Sequence, residues 1–148
     1  MKVIQVDFLK IINIHVALKN YLTDLLAGIT FAQLDHAKIK QDDACYLGKL
    51  IFGDEQLLAN YPAFEEVRSL HANFHGVSAE VLRLYQAGQH EKATQLLHGR
   101  FDVVFRRLKS RIILLSHQYN ADLINVNKAY AHPNAVKESH TPHLGVVR

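Results

Sequence analysis

The chain reads PAFEEVRSLHANFHGVSAEVLRLYQAG over residues 62–88. Apolar side chains recur there every three or four residues, which is the spacing of one face of an α-helix. Pro62 suits the first turn of such a helix, and Gly88 suits its end. Two histidines, His71 and His75, share the apolar face and lie one turn apart. This stretch therefore predicts a long helix whose buried face carries two imidazoles.

The same periodicity marks an earlier segment that Gly28 would end. Its face consists of Ile4, Phe8, Ile11, His15, Leu18, Leu22 and Leu25. A third segment runs from about Glu91 to Tyr130. Its apolar stripe consists of Leu97, Phe101, Val104, Leu108, Ile112, Leu115, Tyr119 and Leu123. Because this length exceeds that of most globular helices, we expect the second half to project or to pair with another chain.

A shorter helix is predicted between the first two long ones. Asp42 or Asp43 would cap it, it would pass through Cys45, and Gly53 would end it. With only 7 Gly and 3 Pro in 148 residues, the chain lacks the turn residues of an all-β protein. The prediction is an all-α fold, an antiparallel four-helix bundle over residues 1–130 followed by a flexible polar tail over 131–148.

Composition excludes several classes of function. The net charge is +3, which is too small and too scattered to indicate a nucleic-acid partner. No apolar run is long enough to span a bilayer, and no signal-peptide pattern opens the chain, so a cytoplasmic location without membrane insertion is expected. The single cysteine, Cys45, forbids an intramolecular disulfide and suits a reducing compartment.

Three of the ten histidines fall at core positions of the predicted helices, and these are His15, His71 and His75. A buried imidazole without a hydrogen-bond partner costs about 1–3 kcal/mol. Each residue alone has an ordinary explanation, since a core histidine usually bonds a backbone carbonyl and a free cysteine is often simply buried. Together with Cys45, however, the three histidines indicate a metal ion that offsets the cost of their burial.

The order of these residues resembles the bacterial chemoreceptor zinc-binding (CZB) domain family. The resemblance covers about residues 8–110. Its specific parts are Cys-x-Leu-Gly-Lys at 45–49 and His-x-x-Phe-His at 71–75. Two tryptophans that are usual in the family are replaced here by Leu18 and Leu50. The resemblance implies a four-helix bundle that holds one Zn²⁺ through His15, Cys45, His71 and His75.

The chemistry of the four residues agrees with this assignment. Zinc favours four nitrogen and sulfur ligands, and a set supplied wholly by protein is a closed site without catalytic water. We therefore expect no enzymatic activity. The short helix that carries Cys45 is the least anchored, so zinc loss or thiol oxidation would move it. The resemblance implies that such a change regulates a partner, commonly a chemoreceptor or a cyclic-di-GMP synthase (diguanylate cyclase), and that the domain forms homodimers. The partner would act in trans, or the chain is a regulatory fragment.

Three alternatives stay open at this point. Zinc could have a purely structural role and hold the bundle together without any sensing, as in a dimerisation or interaction module. An enzyme with an open metal position would need a vacant ligand site and a general base. Tail histidines could capture metal for delivery, and these are His132, His140 and His143. The remaining histidines are predicted to be surface or cap residues, and these are His36, His90, His98 and His117.

Overall fold

The computed structural model describes residues 5–31, 34–53 and 56–131, with side chains up to residue 125. Over these residues the chain forms helices and no strand, which confirms the all-helical class and the long C-terminal helix. The helices are α1 (Phe8–Leu26), α2 (His36–Lys40), α3 (Tyr46–Phe52), α4 (Phe64–Gln86), α5 (His90–Leu96) and α6 (Asp102–Ala131). Apart from residue 131, the predicted tail lies outside the described residues.

Helix α1 ends just before Gly28, as predicted, and begins at Phe8. Asp7 is the N-cap, and its carboxylate accepts a hydrogen bond from the backbone N–H of Lys10 at 2.9 Å. Gly28 follows the helix with a φ of +77°, a left-handed conformation that glycine adopts without strain. The buried face consists of Phe8, Ile11, His15, Leu22 and Leu25. Burial of this face places His15 inside the protein.

Helix α4 lies at the centre and contacts α1, α2, α5 and α6. Just before its start, the backbone N–H of Ala63 donates to the side chain of Gln118 on α6 at 3.0 Å. Further along α4, the Phe74 ring lies 6.0 Å from the ring of Phe105 on α6. The earlier residue next to α4 contacts the later residue of α6, and the later residue contacts the earlier one. These two helices therefore run antiparallel.

The contacts between α1 and α6 show the relative direction of these two helices as well. The ring of Phe8 lies 5.5 Å from that of Tyr119, and the Lys19 ammonium lies 4.9 Å from the centre of the Phe105 ring. Since the earlier α1 residue meets the later α6 residue, α1 and α6 are also antiparallel. The buried faces of α1 and α4 both pack against the buried face of α6.

The third long segment is broken, and its prediction as one helix from Glu91 to Tyr130 was wrong. Helix α5 ends at Leu96, and a π-helical turn over Leu97–Phe101 joins it to α6. Inside this turn Gly99 has φ −104° and ψ −106°, which are not helical values. Glycine adopts such values at low cost, so the helix axis bends here. Periodicity did not reveal the break because the apolar stripe stays buried on both sides of it.

Helix α6 buries the predicted stripe and exposes a second set of apolar residues. The buried residues are Val104, Leu108, Ile112, Leu115 and Tyr119. Those exposed off the stripe are Val103, Ile113, Leu114 and Ile124.

Within the described ranges, no helix combines the length and the hydropathy that crossing a membrane would require.

Helix α3 starts two or three residues later than predicted, and its predicted cap was wrong. Neither Asp42 nor Asp43 caps it. Cys45 is the N-cap, and its sulfur accepts a hydrogen bond from the backbone N–H of Gly48 at 3.4 Å. Gly53 ends the helix as predicted.

The chain before α3 folds tightly against the first turn of that helix. A Cβ atom placed on Gly48 would lie 2.0 Å from the carbonyl oxygen of Asp42 and 2.8 Å from the Cα of Asp43. Both contacts are with backbone, which cannot rotate away. Glycine at residue 48 therefore allows the close approach that places Cys45.

Replacing Gly48 by alanine should destabilise the protein. The new methyl group would push the 42–43 backbone away from α3, and overpacking of this kind costs about 1–3 kcal/mol. Gly76 on α4 is the matched control, because a Cβ there meets nothing within 4 Å. We expect G76A to raise the free energy of unfolding by up to about 1 kcal/mol through helix propensity. Urea denaturation measures both, and equal stability of the two variants would contradict this account.

Candidate metal centre

Four side chains from three parts of the chain converge inside the protein. His15 comes from α1, Cys45 from the start of α3, and His71 and His75 from successive turns of α4. One ligand atom of each lies within 4.8 Å of the ligand atoms of the other three. The structure therefore brings together all four residues that the sequence predicted as metal ligands.

The distances between these atoms suit a common centre. The Cys45 Sγ lies 3.1 Å from Nε2 of His71, 3.7 Å from that of His75 and 3.9 Å from that of His15. The Nε2 atoms of His71 and His75 are 3.0 Å apart. In a tetrahedral zinc site, ligand bonds of about 2.0–2.3 Å separate the donor atoms by about 3.3–3.6 Å. The observed spacings lie on both sides of that range.

Backbone carbonyls orient two of the imidazoles. The Nδ1 of His15 lies 2.7 Å from the carbonyl oxygen of Ile11, and that of His75 lies 2.8 Å from the carbonyl oxygen of Ile39. A carbonyl only accepts, so each Nδ1 carries the hydrogen and each Nε2 presents a lone pair to the cluster. Histidines that bind metals usually donate their other N–H in this way.

His71 differs from the other two histidines in the surroundings of its Nδ1. Its Nδ1 is buried and lacks a hydrogen-bond partner within the described part of the chain. A proton on Nε2 would leave Nδ1 an unpaired acceptor, whereas a proton on Nδ1 would make it an unpaired donor. Leaving such a buried group unsatisfied costs about 1–3 kcal/mol. A metal bound at Nε2 would leave the hydrogen on Nδ1, so it would not supply the missing partner. The fit of the residues to a metal rests instead on the three Nε2 atoms and the sulfur, which converge within 4.8 Å.

The electrostatics keep the three imidazoles neutral. Burial, together with a smaller effect of the neighbouring imidazoles, lowers the pKa of His15 to about 4 and that of His71 to about 2, although the hydrogen bond to Ile11 partly opposes the shift of His15. Burial also lowers the pKa of His75, which the hydrogen bond to Ile39 partly opposes. Neutral imidazole is the form that binds metals. The histidines are therefore ready to act as ligands at neutral pH without releasing protons.

The sulfur behaves differently from the imidazoles. Burial raises the pKa of the Cys45 thiol, and the negative charge of Asp42 raises it further, although the backbone N–H of Gly48 acts in the opposite direction. A thiol must lose its proton to bind a metal. Cys45 is also half-buried, while the three histidines are buried. The sulfur is thus the ligand nearest to solvent and the one whose state changes on metal binding.

The other described histidines do not belong to the cluster, as predicted. His36 lies 3.3 Å from the side-chain oxygen of Gln86, and the His90 ring stacks on that of Tyr85 at 4.5 Å. His98 and His117 are exposed. The tail histidines lie outside the described residues, and these are His132, His140 and His143.

Sequence reasoning missed helix α2, which supplies the carbonyl partner of His75. Asp35 caps this helix by accepting from the backbone N–H of Ala37 at 2.9 Å, so a capping signal exists in the sequence. Five residues are too few for an apolar period to stand out, and α2 buries only Ile39. A backbone carbonyl has no signature of its own in a sequence.

Comparison with protein-family models, with curated proteins and with solved structures found no significant match to this chain. The similarity to CZB domains therefore stays a prediction from the two short motifs. The case for a metal centre rests on the geometry of the four side chains.

Acid should destabilise the metal-free protein. Unfolded histidines take up a proton near pH 6.5, whereas folded His15 and His71 do so only near pH 4 and pH 2. Below about pH 6.5 the unfolded state binds more protons, so stability present above that pH is lost as the pH falls. We expect the free energy of unfolding to fall by about 1.4 kcal/mol per pH unit for each of these histidines between about pH 6 and pH 4.

Urea denaturation with a chelator present measures this slope. The control is H117Q, because His117 is exposed on α6 and its replacement should leave the slope unchanged. A stability that stays constant from pH 7 to pH 5 would contradict the prediction.

Proposed function

We propose that this protein is a zinc-binding regulatory domain of the CZB type. The observation that carries the proposal is the convergence of three imidazole Nε2 atoms and one cysteine sulfur within 4.8 Å. In the proposed site, Zn²⁺ is held by His15, Cys45, His71 and His75. The bound metal would supply bonds that join α1, α3 and α4.

The donor set favours zinc over other metals and a regulatory over a catalytic role. Imidazole and thiolate ligands suit zinc, whereas magnesium and calcium require oxygen ligands. Four protein ligands complete a tetrahedron and leave no position for a reacting water. We therefore propose that the protein is not an enzyme.

The four ligands differ in how firmly the chain holds them. His15, His71 and His75 lie within helices of 19 and 23 residues, while Cys45 precedes a helix of 7 residues. Loss of zinc, or oxidation of the sulfur, would therefore release α3 more readily than any other ligand-bearing element. In the proposed mechanism, this movement is the signal.

The proposal extends to the assembly. We propose that α1, α3, α4 and α6 form a four-helix bundle, which the antiparallel contacts of α6 with α1 and α4 support. The exposed apolar residues of α6 support a homodimer built on that helix. A chemoreceptor or a diguanylate cyclase that receives the signal in trans is the proposed partner, and the proposed location is the cytoplasm.

The purified protein should contain one zinc ion per chain. Replacing His71 or Cys45 by alanine removes a ligand, so both variants should lose most of the bound zinc. The matched control is H117A, which removes an exposed imidazole outside the cluster and should retain the metal. Elemental analysis after gel filtration measures the content. A native protein without tightly bound zinc would exclude the proposed site.

Zinc removal should loosen the segment around α3 more than the rest of the chain. Amide hydrogen exchange in residues 43–53 should accelerate by at least tenfold on chelation, because the Cys45 bond no longer pins this helix. Exchange in the middle of α4 serves as the internal reference. If both regions respond equally, zinc is a structural staple and the sensing role is excluded.

A further inference from the structure

Tyr46 follows Cys45 directly and makes two contacts with the start of α1. Its hydroxyl oxygen accepts a hydrogen bond from the backbone N–H of Asp7 at 3.1 Å. The Lys10 ammonium lies 4.5 Å from the centre of the Tyr46 ring, within the range of a cation–π interaction. Asp7 is the N-cap of α1 and Lys10 lies in its first turn. Tyr46 thus joins the first turn of α3 to the first turn of α1.

This contact links two elements that each supply a ligand. His15 lies eight residues beyond Asp7, which is about two turns along α1. Cys45 precedes Tyr46 by a single residue, so any constraint on the Tyr46 backbone also constrains the Cys45 backbone. The Cys45 sulfur lies 3.9 Å from the Nε2 of His15. The connection through Tyr46 does not itself involve any of the four ligand side chains.

We propose that Tyr46 is a positioning residue that holds the Cys45 sulfur at the metal centre by fastening α3 to the N-terminus of α1. This inference rests on the proposed function and assigns a role to the variable position of the Cys-x-Leu-Gly-Lys motif. Helix α3 has 7 residues and buries only Leu47, Gly48 and Ile51, so the contacts of one further side chain contribute substantially to its attachment.

The physical effect is preorganisation. If metal-free protein exchanges between an attached and a detached α3, only the attached form presents all four donors. The apparent metal affinity is then reduced by the fraction of molecules in the attached form. Tyr46 raises that fraction, and it does so before any metal binds. Its loss would therefore weaken zinc binding and at the same time expose the Cys45 thiol in the metal-free protein.

The test uses Y46F, which retains the ring and removes only the hydroxyl. Zinc affinity is measured by competition with a chromophoric chelator, and thiol exposure by the rate at which metal-free protein reacts with iodoacetamide. Cys45 is the sole cysteine, so the reaction reports on one site. Loss of one hydrogen bond should weaken zinc affinity by about two- to tenfold and accelerate alkylation by a similar factor.

The matched control is Y61F. The Tyr61 hydroxyl, which lies in the loop before α4, also joins two elements, since it donates a hydrogen bond to the carboxylate of Asp122 on α6 at 2.9 Å. Zinc affinity and alkylation rate should both stay within twofold of the native values in this variant. A change in Y61F as large as that in Y46F would show general loosening and overturn the proposal.

A double-mutant cycle tests whether Tyr46 acts through the sulfur. In a C45A background, Y46F should leave the residual zinc affinity unchanged, because no sulfur remains to be positioned. The same loss in both backgrounds would overturn the proposal, as would native affinity and alkylation rate in Y46F. If the native protein binds no zinc, the proposed function fails. The alkylation rates of the metal-free proteins then still decide whether Tyr46 holds α3 in place.

Discussion

Three imidazoles and a thiol share one buried space, and the rest of the fold is arranged around that placement. The Nε2 lone pairs of His15 and His75 face the cluster because backbone carbonyls accept hydrogen bonds from the Nδ1 atoms of both residues. His71 retains a buried nitrogen without a partner in the described structure. Burial also keeps the imidazoles neutral, so mutual charge repulsion does not drive them apart. Such an arrangement costs free energy, and coordination of a cation is the interaction best suited to offset it.

The long helices and the short helix contribute in different ways. Residues four apart on α4 place His71 and His75 on one face, and α1 brings His15 opposite them through a continuous buried stripe. Cys45 depends instead on a tight turn of the chain, on the absence of a side chain at Gly48 and, in our proposal, on the contact of Tyr46 with Asp7. Three ligands therefore lie within long packed helices, whereas the fourth precedes a short helix held by Leu47, Ile51 and a few local contacts. This asymmetry is what would make a metal centre responsive to its surroundings.

The corrections to the sequence predictions share a physical origin. The break at Gly99 lies within an apolar stripe that continues unchanged, so periodicity did not register a local change of backbone conformation. Helix α2 is too short to show a period. The cap of α3 was assigned to an aspartate because aspartate is the commoner N-cap, whereas here tertiary contacts turn Cys45 inward and its sulfur takes that role. Each error concerns backbone geometry that distant parts of the chain determine.

The sequence itself determined the all-helical class, the buried faces of the long helices and the three core histidines, while Cys45 was added as the sole thiol and through the resemblance to CZB domains. The reason is that helical periodicity and the spacing of polar residues on an apolar face are local properties of a chain. Only the tertiary structure decided how close the four donor atoms lie, which carbonyls orient the imidazoles and how α3 is attached. Those features depend on contacts between residues as far apart as Asp7 and Tyr46 or Ile39 and His75, which no local pattern records.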